Sequence, residues 1–285
     1  MPQQQGESYM KKDNLSTILL VMVLVIGLSM LLYPSFSDYW NSFRSTKAIM
    51  GYDEQVAKLE AQKYDEMWED AVEYNADLTD RQNEFVLPEE KRAEYESLFN
   101  LTGTGIMGYI EIPNIKCSVP IYHGTEDTVL QIAIGHLDWS SLPTGGKGTH
   151  CVLSGHRGLP SAKLFSDLDK VVEGDRFILR ILDEILTYEV DQILIVEPHE
   201  VEELEISRYE DYCTLVTCTP YGVNSHRILV RGHRVPNDSR LTIRLVSEAG
   251  QIDPLIIAPI IASPVLIVLF IWLMMPKKSI YQRKE

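Results

Sequence analysis

The chain has 285 residues, 45% of them hydrophobic, which is enough for one large folded domain or two small ones. Its 41 acidic side chains outnumber 26 Lys and Arg, for a formal charge of −15. An acidic excess of that size repels phosphate backbones and argues against nucleic acid as a partner.

Residues 17–33, "TILLVMVLVIGLSMLLY", carry no charge. At about 1.5 Å per residue they just cross a hydrocarbon layer of roughly 30 Å. Pro34, Phe36 and Tyr39 follow, where a signal-peptide cleavage site would need small residues, so the run reads as an uncleaved anchor. In residues 55–74 the apolar positions Ala57, Ala61, Tyr64, Trp68, Ala71 and Val72 recur at helical spacing and predict one packed helix face. The following stretch, residues 75–105, is polar and broken by Pro88. It holds a short helical pattern over residues 89–99, no strand and few core positions. Its composition suits a lid or a linker.

From Gly108 onward the pattern becomes short β-rich runs, "GYIEI", "CSVPIY", "HCVLSGH", "RFILRIL", "TYEVDQILIVE", "CTLVTC" and "RILVRGHRV", separated by turn residues. Such spacing predicts a closed or nearly closed β-barrel with only short helices, near residues 128–134 and 162–165. No Gly-rich phosphate loop or internal repeat is present. A second apolar run, residues 255–275, contains Pro259 and Pro264, which a membrane helix tolerates, and it too should span. Lys11 and Lys12 precede the first span, and Lys277, Lys278, Arg283 and Lys284 follow the second. Positive flanks at both ends put both termini in the cytoplasm and the acidic middle outside, with the lipid bilayer as a partner.

Four cysteines must then be placed. No CxxC pair occurs, so a structural zinc is not expected. Strand alternation in "YCTLVTC" puts Cys218, Val216 and Thr214 on one face and Cys213, Leu215 and Thr217 on the other, which disfavours a bridge between the two cysteines. Cys213 and Cys151 lie within apolar runs and read as core residues, and Cys117 at a strand start as structural. Cys218 ends its run just before "TPYG", where side chains become accessible. A thiol nucleophile needs a base or cation beside it. His156, which also ends a β run, is the best partner. His123, His136, His150, His199, His226 and His233 read as structural imidazoles. Acyl chemistry also needs a donor for the developing oxyanion. Arg227 and Arg231 share one strand face, and spacing alone leaves both open.

"TLVTCTPYGVNSHRILVRG" resembles the T-L-x-T-C signature of the sortases followed by its arginine, and "LSGHRGLPSAKLF" resembles the histidine segment of their class C, pilus-building members. The resemblance runs from about Tyr64 to Arg234, taking in "GYIEIP", "PIYHGT" and "GHLDWSSLPTGG". It implies a mainly β fold, a sortase-type closed β-barrel of about eight strands with an N-terminal helical arm and lid and two transmembrane helices. The organisation is then a cytoplasmic N-terminus (1–16), a membrane helix (17–33), an extracellular arm and lid (37–103), the catalytic barrel (104–240), a linker (241–254), a second membrane helix (255–275) and a basic cytoplasmic tail (276–285). Carried over residue by residue, the resemblance makes Cys218 the nucleophile, His156 the acid/base and Arg227, nine positions after the cysteine, the third catalytic group, against Arg231.

The implied activity is that of a cysteine transpeptidase in the plasma membrane of a Gram-positive bacterium. It would cleave an LPxTG-like sorting signal of a pilin or surface protein at Thr–Gly and pass the acyl group to a pilin lysine, with no metal or cofactor. A housekeeping sortase would use a cell-wall peptide amine instead, a thiol hydrolase would use water, and a membrane-tethered binding module would have no thiol-dependent activity. Class C lids usually carry an Asp-Pro-aromatic latch. None occurs between residues 75 and 103, where Asp80 and Phe85 stand instead.

Overall fold

The computed structural model describes residues 4–80 and 85–237. The described residues divide into two compact units, those up to residue 36 and those from residue 37 onward. The expected second span, the linker before it and the basic tail lie outside the described residues. Helix α1 (Gln4–Val56) contains the first expected span and continues through Pro34. Its segment from Leu19 is long and apolar enough to cross a membrane, with a mean hydropathy of 2.3 and none of that window buried.

The helix predicted over residues 55–74 is displaced. Residues 57–60 form a tight turn, and helix α2 runs Ala61–Asp80. The turn changes which surface is covered. Before it, Tyr52 of α1 packs with Ile106 and Tyr109 and hydrogen-bonds Met107 O and Leu182 N. After it, Trp68, Ala71 and Tyr74 join the barrel core, while Val72 lies off that face and is exposed. Helix α3 (Glu89–Ser97) follows, close to its predicted range.

Eight strands form the closed barrel: β1 (Ile106–Ile112), β2 (Cys117–His123), β3 (Ile134–His136), β4 (Thr149–Ser154), β5 (Arg176–Ile181), β6 (Glu184–Val196), β7 (Asp211–Thr219) and β8 (His226–Val235). Their order around it is β1-β2-β3-β4-β7-β8-β6-β5. Two neighbouring pairs, β2 with β3 and β4 with β7, run parallel. Parallel neighbours need a crossover, and the four-residue helix α4 (Asp127–Leu130) lies in the one between β2 and β3. The helix predicted over residues 128–134 is therefore shorter, and Ile134 begins a strand. Residues 162–165 are not helical either. Ala162 bridges back to Leu159, and Leu164 takes a positive φ of 36°.

Alternation divides the barrel wall into two clusters. Cys151 and Leu153 of β4, Cys213 and Leu215 of β7, and Ile228 and Val230 of β8 lie in the inner core. Val152, Val216 and Leu229 from the same strands join Leu204 and Trp139 in a separate cluster on the other face. The stretch 75–105 packs more than its polar composition suggested. Leu78, Leu87, Tyr95, Leu98 and Phe99 are all buried. Asn75 pins α2 by bonding Leu142 through both its backbone groups and Thr144 through its hydroxyl.

Candidate active site

Cys218 lies at the end of β7, half-buried, on the face of Val216 and opposite that of Cys213 and Leu215. Its partner across the antiparallel β7–β8 ladder is Arg227, so the two side chains leave the same face of adjacent strands. On the other side β4 runs parallel to β7, with Ser154 opposite Val216. The pairing outlasts β4. Gly155 N donates to Val216 O at 3.0 Å, and the Thr217 hydroxyl donates to Gly155 O at 2.6 Å. Continued two residues beyond β4, this register would set His156 beside Cys218. Cys218 and Arg227 thus sit on adjacent barrel strands, β7 and β8, and His156 follows two residues after the end of β4, the strand on the other side of β7, although 71 residues separate His156 from Arg227 in the chain.

Local packing fixes the His156 segment. A Cβ on Gly155 would lie 2.4 Å from Ile134 Cδ1 and 2.7 Å from Phe165, so only glycine lets β4 leave the barrel along this path. Phe165, fully buried, returns its N–H to His156 O at 3.3 Å and closes the loop between them.

The two arginines differ in what they touch. Arg231 chelates Asp191 at 3.0 and 3.2 Å, and its guanidinium stands 4.4 Å from the Tyr212 ring centroid, so both its charge and its ring-facing plane are engaged. Arg227 donates only to the carbonyls of Asn224 (3.2 Å) and His226 (3.0 Å), and makes no ion pair among the described residues. Its remaining N–H groups are free to serve an oxyanion or a substrate carbonyl.

The other cysteines are sealed in. Burial pushes Cys117 up to about 12 and raises Cys213 strongly, so neither provides a thiolate near neutral pH. Burial also opposes ionisation of Cys151, while its contacts with Cys213 and His136 favour it and lower that thiol. Cys151 remains inside the barrel at 2% exposure, out of reach of a peptide carbonyl. The buried histidines are equally engaged. His136 accepts from Tyr95 at 2.9 Å and donates to Ser141 O at 2.9 Å, and His150 bonds Glu205 O and Thr214. Sequence reading passed over Arg157, whose guanidinium reaches Thr219 beside Cys218. Its position directly after His156 was the available signal. Among the described residues no three His, Cys, Asp or Glu side chains converge as metal ligands would.

Residues 110–235 match the sortase domain family. The fold is similar to a crystal structure of sortase C1 from Streptococcus agalactiae, with 51% identity and a TM-score of 0.66 over 67% of this chain and all of that one. It is also similar to a sortase C from Streptococcus pneumoniae, with 44% identity and a TM-score of 0.61 over 67% of this chain and 97% of that one. Sortase A of Streptococcus agalactiae is 31% identical over 117 residues, 40% of this chain and 47% of that protein, so the match spans about half of that relative's length. A barrel of eight strands in this order, with Cys218 paired to Arg227 across adjacent strands and a match to sortase C structures at such identity, makes this chain a member of the sortase family of cysteine transpeptidases.

Proposed function

We propose that the chain is a membrane-anchored transpeptidase in which Cys218, His156 and Arg227 act together on an LPxTG-like sorting signal. The Cys218 thiolate attacks the Thr–Gly carbonyl, and Arg227 donates to the oxygen that gains charge. The tetrahedral adduct collapses when His156 protonates the departing glycine amine, leaving a Cys218 thioester. His156 then removes a proton from an incoming lysine amine of a second pilin subunit. That nitrogen attacks the thioester, an isopeptide bond forms and the thiolate leaves. The observation that carries the reading is the Cys218–Arg227 register pair, with His156 two residues beyond the end of the parallel strand β4.

A pilin acceptor is favoured by the identity to sortase C enzymes, one of which was solved in a study of pilin substrate specificity. The exposed apolar residues of α1 from Leu19 to Leu31 support insertion of that helix in a plasma membrane, with the barrel outside. The arm is read as carrying a lid. Phe85 meets Trp139 edge-on at 5.2 Å, and Trp139 packs on the cluster of Val216 and Leu229, the cross-strand pair next to Cys218 and Arg227 on the same face. The test is product formation by the full chain in detergent micelles, offered a sorting-signal peptide with either a pilin lysine peptide or a cell-wall peptide amine. A product with the pilin lysine that disappears in Cys218→Ala supports the proposal. Product with the cell-wall amine alone makes the enzyme a housekeeping sortase, and product from Cys218→Ala removes the nucleophile.

A further inference from the structure

Arg157 is an unusual residue to find buried beside an acyl-transfer centre. Its side chain is only 9% exposed, and its Nε lies buried without a hydrogen-bond partner among the described residues. Two guanidinium arms are in use. Nη1 donates to Thr219 Oγ1 at 3.1 Å, and Nη2 meets Asp169 Oδ2 at 2.5 Å. The cation also stands 5.9 Å from the Tyr221 ring centroid. Gly158, at a φ of +77°, allows this approach, since a Cβ there would come within 2.8 Å of that ring. Thr219 and Tyr221 belong to the chain that leaves Cys218, and Arg157 and Gly158 to the chain that leaves His156.

We propose that Arg157 is a positioning residue that ties these two exits together and so holds His156 in register with Cys218. The inference rests on the reading of those two as the reacting pair. Before the pair, the Thr217 hydroxyl bonds Gly155 O; after it, Arg157 bonds the Thr219 hydroxyl. The base and the nucleophile are each flanked by a tethered residue on both sides. Without the second tether, β4 has already ended at Ser154, and His156 is held to β7 from one side only. Asp169 fixes the far edge of the same guanidinium, so a planar cation with two arms is required. The single ammonium of lysine cannot fork between Thr219 and Asp169. The unmatched Nε argues against a role in stability alone, because a buried cation with an unsatisfied N–H is a poor stabiliser compared with an apolar side chain. Asp169 is 41% exposed, so water takes up its charge if the arginine is lost.

The experiment uses the full chain in detergent micelles and compares wild type, Arg157→Met, Arg157→Lys, Thr219→Val and the Arg157→Met/Thr219→Val double variant. Turnover is expressed per reactive Cys218, counted by alkylation, so that misfolded molecules drop out. Misplacing a reacting group by about 1 Å costs roughly a hundredfold, so Arg157→Met should lower kcat by about tenfold to a hundredfold with KM within about twofold. Lysine should restore only part of it, and the double variant should be no worse than the poorer single, because both break one tether. The rate of Cys218 alkylation against pH, which needs no substrate, should change shape in Arg157→Met as His156 moves. A full kcat per active site in Arg157→Met, independent multiplying effects of the two substitutions, or an unchanged alkylation profile would each overturn the proposal. Thr219→Val removes the same hydrogen bond with little change in shape. If Arg157→Met does not fold, that variant alone decides: a severalfold lower kcat supports the tether and an unchanged kcat rejects it. Loss of turnover in Cys218→Ala, run alongside, tests the underlying reading separately.

Discussion

Arg227 and Arg231 leave the same face of β8, yet substituting them should produce opposite failures. Arg231→Met removes a two-point ion pair with Asp191, the side chains being 21% and 26% exposed, and a cation–π contact with Tyr212. A partly exposed pair contributes up to about 1 kcal/mol and the ring contact about 0.5–1 kcal/mol, so the expected loss is about 1–2 kcal/mol. For a domain of this size each kcal/mol lowers Tm by about 2–4 °C. Arg231→Met should therefore melt several degrees lower and turn over at nearly the wild-type rate per reactive thiol. Arg227→Lys loses only two hydrogen bonds, to the carbonyls of Asn224 and His226, so Tm should hardly move. Because it loses the planar donor fork, kcat should fall by about 10²–10³, the usual effect of deleting an oxyanion donor. Calorimetry and peptide transpeptidation on the same preparations separate the two. If Arg231→Met lost more turnover than Arg227→Lys while keeping its Tm, the assignment of the third catalytic group would be wrong.

Three other outcomes are expected. Burial pulls His150, 1% exposed, down from 6.5 to about 4, so the folded state keeps it neutral. That contribution is complete above about pH 6.5 and is lost as pH falls toward 4, reaching about 3 kcal/mol, and urea unfolding of wild type and His150→Gln across this range should differ accordingly. Cys117, Cys151 and Cys213 should be reduced and dispensable for turnover, so thiol counting on unfolded, unreduced protein should find four free thiols, and an intramolecular bridge would contradict it. If the arm covers Cys218, the Phe85–Trp139 contact, at about 0.5–1.5 kcal/mol, sets its hold, so Phe85→Ala should speed Cys218 alkylation by roughly twofold to tenfold; no change would mean that Phe85 holds nothing over the thiol.

What the sequence made legible is what alternation carries. The β-branched runs gave seven of the eight strands, and parity along "YCTLVTC" separated Cys218 from Cys213 as the barrel does. Strand β3 escaped because three residues, one of them Gly135, are too few to show a period, and the apolar run before it reads equally well as helix. The arm escaped for a different reason. Leu87, Leu98 and Phe99 reach the core from irregular backbone at the ends of α3, where burial follows the shape of the barrel and leaves no spacing to detect. The choice of Arg227 over Arg231 rests on resemblance; the Asp191 and Tyr212 contacts that occupy Arg231 come from residues distant in sequence and left no signal in its spacing. Arg157 was hidden similarly, because its meaning depends on Thr219, 62 residues away.

The central claim is that Cys218 carries the acyl group between donor and acceptor. Its most direct test is mass spectrometry of the full chain after brief incubation with a sorting-signal peptide and no amine acceptor, followed by acid quenching and peptide mapping. The account predicts one added acyl fragment ending at the threonine, on the peptide that contains Cys218, discharged by hydroxylamine and absent from Cys218→Ala. An adduct on another residue, or product formed with no thioester detectable at any time, would contradict it.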